Sequence, residues 1–159
     1  MLRLLTDLFD SLTPGRADSG DPARRGHTLE LATAVLMIEV IRADGTIGPD
    51  EQDVVMQALG RQFSLSPREQ ADLFALAHQK SEHSHDLYSF TARLNEALDE
   101  GERVRVFEML WTVAYADGRA DAHEAHLLRR IGDLLHLRHA DAIGARLKAE
   151  EKASRQKPA

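Results

Sequence analysis

Residues 37–51 read MIEVIRADGTIGPDE, and residues 110–124 read LWTVAYADGRADAHE. Residue 110 stands to 37 as 117 to 44 and 124 to 51, a constant offset of 73. Ala43-Asp44-Gly45 falls on Ala116-Asp117-Gly118, Val40 on Val113 and Glu51 on Glu124. Each copy is an apolar stretch that runs into Asp-Gly, followed by a segment with an acidic start. Glycine populates the left-handed backbone that ends helices without steric cost, so Gly45 and Gly118 suit the position just past a helix. Helix-start chemistry follows at once. Gly48-Pro49-Asp50-Glu51 offers proline at N1, Asp121-Ala122-His123-Glu124 offers an aspartate N-cap, and both place glutamate at N3. The pattern is one helix–corner–helix unit used twice, and two copies imply pseudo-two-fold packing.

Outward from the corners the chain reads as helix throughout. Leu29 to Ala43 and Val104 to Ala116 are apolar almost all round, the mark of central, buried helices. Flanking segments carry ordinary apolar stripes, such as Leu73, Leu76 and Ala77, or Leu127, Leu128, Ile131 and Leu135. Ser66-Pro67-Arg68-Glu69 is a further capped start. No stretch alternates with period two, and none of the five prolines interrupts a periodic run. The spacing predicts helices at 2–12, 28–43, 49–61, 67–80, 84–98, 102–116, 122–135 and 139–153. The fold class is all-α, a helical bundle of about 7–8 helices with two pseudo-symmetric helix–corner–helix repeats.

Length fits one core. The 159 residues are 43% hydrophobic and 29% charged, a globular balance. Residues 13–26 (TPGRADSGDPARRG) hold two prolines and three glycines among small polar residues and read as a flexible linker. The expected organisation is a short N-terminal amphipathic helix and linker over 1–26, a helical domain over 27–153 and a disordered tail over 154–159. In the N-terminal segment Leu5, Leu8, Phe9 and Leu12 share a helical face, while Asp7 and Asp10 argue against a signal peptide. Packing against the domain or a partner is the favoured use of residues 2–12. Membrane-surface association is the alternative, although the segment lacks the Lys/Arg face that anionic lipid favours. No apolar run approaches the ~20 residues of a membrane span.

Composition also removes whole classes of function. With no cysteine there is no disulfide framework, thiolate zinc site or thiol catalysis. A formal net charge of −6 disfavours nucleic acid, and Arg24-Arg25 and Arg129-Arg130 read as solvated patches. No P-loop, nucleophile elbow or dinucleotide fingerprint is present, and no residue stands out as catalytic. His123-Glu124-Ala125-His126 is one residue short of the zincin spacing, and His83 and His85 lie in a polar stretch, so zinc is not favoured.

The acidic corners are the remaining chemistry. Asp44, Gly45, Ile47 and Glu51 match positions 5, 6, 8 and 12 of an EF-hand loop, but positions 1 and 3 would be Val40 and Arg42, or Val113 and Tyr115 in the second copy. A true EF-hand is therefore disfavoured. Two readings stay open: helix-end chemistry alone, or carboxylates from both corners (Asp44, Glu51, Asp117 and Glu124) converging on one hard cation. Glu39 joins the second set, because a carboxylate on an otherwise apolar helix needs a reason.

The sequence resembles the tellurite-resistance protein B (TerB) family, among its small TerB-like proteins, over roughly residues 28–148. Ile38-Glu39-Val40, Arg42-Ala43-Asp44-Gly45 and Glu51 carry the likeness first. Asp86-Leu87-Tyr88-Ser89-Phe90-Thr91, Glu102-Arg103, Leu110-Trp111, Val113 to Gly118 and Glu124 carry it further. The resemblance implies an all-helical fold with internal pseudo-symmetry and a divalent-metal site built from the acidic residues at the corners. It also implies association with tellurite and other stress responses, occasional fusion to J-domain co-chaperones, and no established reaction. The absence of cysteine argues against direct thiol reduction of tellurite by this chain.

The expected function is thus a cytoplasmic, non-catalytic TerB-like interaction and stress-response module. Its metal residues would be Glu39, Asp44, Glu51, Asp117 and Glu124, its cation Ca2+ or Mg2+, and its protein partners unnamed by the sequence. A metal-dependent hydrolase using the same carboxylates, and a scaffold with no metal, are the alternatives.

Overall fold

The computed structural model describes residues 22–44, 49–63, 65–77, 84–116 and 122–156, and for some residues near helix ends only the backbone. Among them are seven helices and no strand: α1 Pro22–Asp44, α2 Pro49–Gln62, α3 Pro67–Ala77, α4 Ser84–Ala97, α5 Glu100–Ala116, α6 Ala122–Leu134 and α7 His139–Gln156. The all-α bundle stands. The helix expected at 2–12 lies outside the described residues.

Proline sets three of the starts. Pro22, Pro49 and Pro67 each open a helix, where the missing N–H costs nothing and the fixed φ is already helical. At α3 the expected capping box is closed in both directions. The Glu69 N–H donates to Ser66 Oγ at 3.1 Å, and the Ser66 N–H donates to Glu69 Oε1 at 2.8 Å. The start of α5 repeats the device with Asp99 and Glu102, whose reciprocal bonds are 2.8 and 3.0 Å. Among the described residues, two edges differ from the sequence reading by three residues or more. α1 begins at Pro22, so residues 22–26, expected in the linker, are helical. α7 runs on to Gln156 through residues expected in the tail, with an Arg155–Glu151 ion pair one turn apart along its last turns.

α1 and α5 form the centre, as their unstriped sequences require. α1 is buried without a break from Leu31 to Glu39, and α5 buries Val106, Phe107, Leu110, Trp111, Val113 and Ala114. The two pack on each other; α1 also meets α3 and α4, and α5 meets α2, α6 and, most extensively, α7. Two hydroxyls carried into this core are satisfied within their own helices: Thr33 Oγ1 donates to the Leu29 carbonyl at 2.8 Å and Thr91 Oγ1 to the Leu87 carbonyl at 3.0 Å. The α1–α2 and α5–α6 pairs follow the order of the repeat, but their packing partners differ. Residues 45–48 and 117–121, the corners themselves, lie outside the described residues, so the pseudo-two-fold relation rests on sequence.

The α5–α7 contact follows from spacing. Phe107, Trp111 and Tyr115 recur every four residues and so share one face. The first two rings meet edge to face at 6.2 Å, and Trp111 and Tyr115 stack at 5.8 Å. α7 answers with the small buried residues Ala145 and Ala149, which let its backbone come close, and with Arg146 between them.

α6 ends in a Schellman turn. His136 takes φ 56°, its N–H reaches the Asp133 carbonyl at 3.0 Å, and the Leu137 N–H reaches the Gly132 carbonyl at 3.2 Å. Two other helices satisfy carbonyls left over at this end. Asn95 Nδ2 of α4 donates to Leu134 O at 2.9 Å, and Arg103 Nη1 of α5 donates to Leu135 O at 3.0 Å.

Candidate functional site

The five expected metal residues fall on three helices and one corner. Glu39 is on α1 and is only 2% exposed, within the buried run that includes Leu36, Met37 and Ile38. A carboxylate in such surroundings costs several kcal/mol, roughly, unless polar groups or a cation compensate it. Asp44 is the last residue of α1, Glu51 lies in the first turn of α2 and Glu124 in the first turn of α6. The side chains of these three lie outside the described residues, as does Asp117 entirely. The three helices share one neighbour: α1, α2 and α6 each pack on α5, and Asp117 directly follows α5 in sequence. Among the described residues no group of three His, Asp or Glu is placed to hold a metal ion. Of the five, therefore, the structure fixes the surroundings of Glu39 and the backbone positions of three others.

The chemistry of the donor set suits one kind of ligand. All five are carboxylates, which bind hard divalent cations and give no preference for zinc or copper. The histidine pair is not assembled among the described residues, where His126 is exposed and the His123 side chain is not described.

Sequence reasoning missed a second constellation. Phe107, Trp111 and Tyr115 read as core, and the first two are fully buried, but Phe107 and Trp111 also floor a pocket closed by Arg129 and Asp133 of α6, Leu137 of the following turn, and His139, Ile143 and Arg146 of α7. The i, i+4, i+8 aromatic stripe is visible in the sequence; which helix lies over it is not. Nothing in the sequence marks His27 either, whose Nε2 lies 2.9 Å from Glu69 Oε2 and ties the first half of α1 to the start of α3. Partial burial works to raise the Glu69 pKa. The Ser66 N–H, then the hydrogen bond and charge of His27, outweigh it and hold the carboxyl below its ordinary value.

Among the described residues no helix is long and apolar enough to cross a membrane. A family model described as tellurite resistance protein TerB matches residues 30–147. No curated protein and no solved structure shows a significant match. The family match spans most of the chain, from the buried run of α1 into α7, and the helical architecture agrees with it: the chain belongs to the TerB family.

Proposed function

We propose that this TerB-family domain is a non-catalytic interaction module whose acidic corners hold a divalent cation, Ca2+ or Mg2+. Glu39, Asp44, Glu51, Asp117 and Glu124 would supply the oxygens. The observation that carries the reading is Glu39, a carboxylate 2% exposed on the helix that ends at Asp44. The packing of α1, α2 and α6 on the shared helix α5 supports convergence of the two corners. A bound cation would offset part of the acidic charge there and fix the corner surface in one shape for a protein partner. A cytoplasmic place and a role in stress-response assemblies are part of the same proposal and rest on the family likeness.

The scaffold reading has one observation in its favour. Glu69 and Glu102 show that this chain uses glutamate at N3 as a cap, and Glu51 and Glu124 stand at the same helical position. Thermal unfolding separates the two. A cation that binds only the folded state raises its stability by RT ln(1 + [L]/Kd), about 2.7 kcal/mol at a hundredfold excess over Kd. The metal reading expects a midpoint several degrees higher in Ca2+ or Mg2+ than in EDTA, with the rise abolished in an Asp44→Asn/Asp117→Asn variant. An unchanged midpoint at millimolar metal leaves the carboxylates as helix caps.

A further inference from the structure

The pocket between α5, α6 and α7 has a volume of about 470 Å3, within the usual span of small-molecule sites. Its floor is apolar and fixed. Phe107 and Trp111 are 2% and 1% exposed, and a Cβ at position 132 would stand 3.0 Å from Phe107 Cζ, so Gly132 leaves the ring its place. Leu137, Ala142 and Ile143 continue the apolar lining toward solvent.

The polar groups around this floor are unevenly spent. Arg146 lies with its guanidinium carbon 4.6 Å from the Trp111 ring centroid, and its Nε donates to Tyr115 Oη at 3.1 Å. That fixes the guanidinium plane and leaves both terminal nitrogens without a further bond to any described residue. Arg129 on the rim makes no ion pair or side-chain hydrogen bond among the described residues, and Asp133 pairs with neither arginine. His139 is a third nitrogen-bearing group on the rim. Two permanent cations against one carboxylate, beside an apolar floor, form a locally positive cleft on a chain of net charge −6.

We propose that this cleft is a binding site for a small amphipathic carboxylate. The apolar body would lie along Leu137, Ala142 and Ile143, above the buried Phe107, and the carboxylate would accept hydrogen bonds from the free guanidinium edges of Arg146 and Arg129. Arginine presents paired donors that match a carboxylate, and the stack on Trp111 holds one such fork ready before the ligand arrives. The site shares no residue with the acidic corners and does not depend on a metal there. Inorganic phosphate alone would satisfy the arginines but leave the apolar wall of Leu137, Ala142 and Ile143 wet.

Trp111 is the single tryptophan, so its emission reports on this floor alone. The full chain, in EDTA, is titrated with octanoate, with octanol, acetate and phosphate as comparators, by fluorescence and in parallel by calorimetry, which detects binding that leaves the indole unchanged. Octanoate should saturate at one site per chain, with each comparator weaker by roughly tenfold or more, about 1.4 kcal/mol. Ile143→Glu, at a position 45% exposed and therefore tolerant, sets a carboxylate on the wall, and Arg129→Gln removes a rim cation. Both should fold normally and lose most octanoate affinity. Octanol or phosphate binding as tightly as octanoate, no saturable signal by either method, or unchanged affinity in Ile143→Glu would each overturn the proposal.

Discussion

Arg146 of α7 spans two aromatic residues of α5, with its guanidinium carbon 4.6 Å from the Trp111 centroid and its Nε bonded to Tyr115 Oη at 3.1 Å. One side chain thus joins a cation–π contact to a hydrogen bond at the most extensive helix–helix contact among the described residues. Arg146→Ala should cost about 1–2 kcal/mol. Tyr115→Phe should cost about 0.5–1.5 kcal/mol, and a double-mutant cycle on urea unfolding should give a coupling of about 0.5 kcal/mol or more. Additive losses would mean that the bond at 3.1 Å contributes nothing in solution.

The C-terminus of α6 is held by side chains from two other helices, so its stability is set at a distance in sequence. Arg103→Ala frees the Leu135 carbonyl and Asn95→Ala the Leu134 carbonyl. Each should lower stability by about 1–2 kcal/mol, because a partly buried acceptor loses its donor. Amide exchange should quicken first in the Schellman turn, at His136 and Leu137, before the rest of the bundle opens.

Two helical glycines should respond to alanine with opposite signs. Gly144 in α7 has nothing within 4 Å of where an added methyl would stand, so Gly144→Ala should raise stability by about 0.5–1 kcal/mol through helix propensity. A Cβ added at Gly132 in α6 would stand 3.0 Å from Phe107 Cζ, and Gly132→Ala should cost about 1–3 kcal/mol as the ring or the helix shifts. Thermal melts of the two variants check both signs in one experiment.

Acid should weaken the α1–α3 tie through Glu69. Its pKa is lower in the folded chain than in the unfolded one. The unfolded state therefore binds the proton first, and the stabilisation is complete above the unfolded value and is lost as pH falls through the folded one. Glu69→Gln should be less stable than the parent at neutral pH. The gap should narrow as the pH drops from about 5 to about 3, the range of ordinary carboxylates. A constant gap across that range would contradict the assignment.

The starts at Pro49 and Pro67 are legible because each proline follows a residue that can cap a helix and precedes an apolar periodic run. Pro22 carries the same signal. The polar, glycine-containing stretch around it outweighs that signal in a sequence reading, because composition argues for a linker while the start of a helix is decided by the residue at N1. Glu39 can be singled out because a lone carboxylate interrupts an apolar run. The pocket beside Trp111 cannot, since nothing within α5 says that α7 will lie over it, and an aromatic stripe at helical spacing looks the same whether it faces core or cleft. Arg129 likewise reads as a solvated charge until Arg146 is brought to line the same opening.

Calorimetric titration of Ca2+ and of Mg2+ into metal-stripped protein tests the corner site most directly, alongside the Asp44→Asn/Asp117→Asn variant and a Glu39→Gln variant. The proposed function predicts saturable binding of at least one of these cations to the parent chain, abolished in the double variant and weakened in Glu39→Gln, with helical content unchanged in all three. No binding at millimolar concentrations of either ion, or equal binding by parent and double variant, would contradict it.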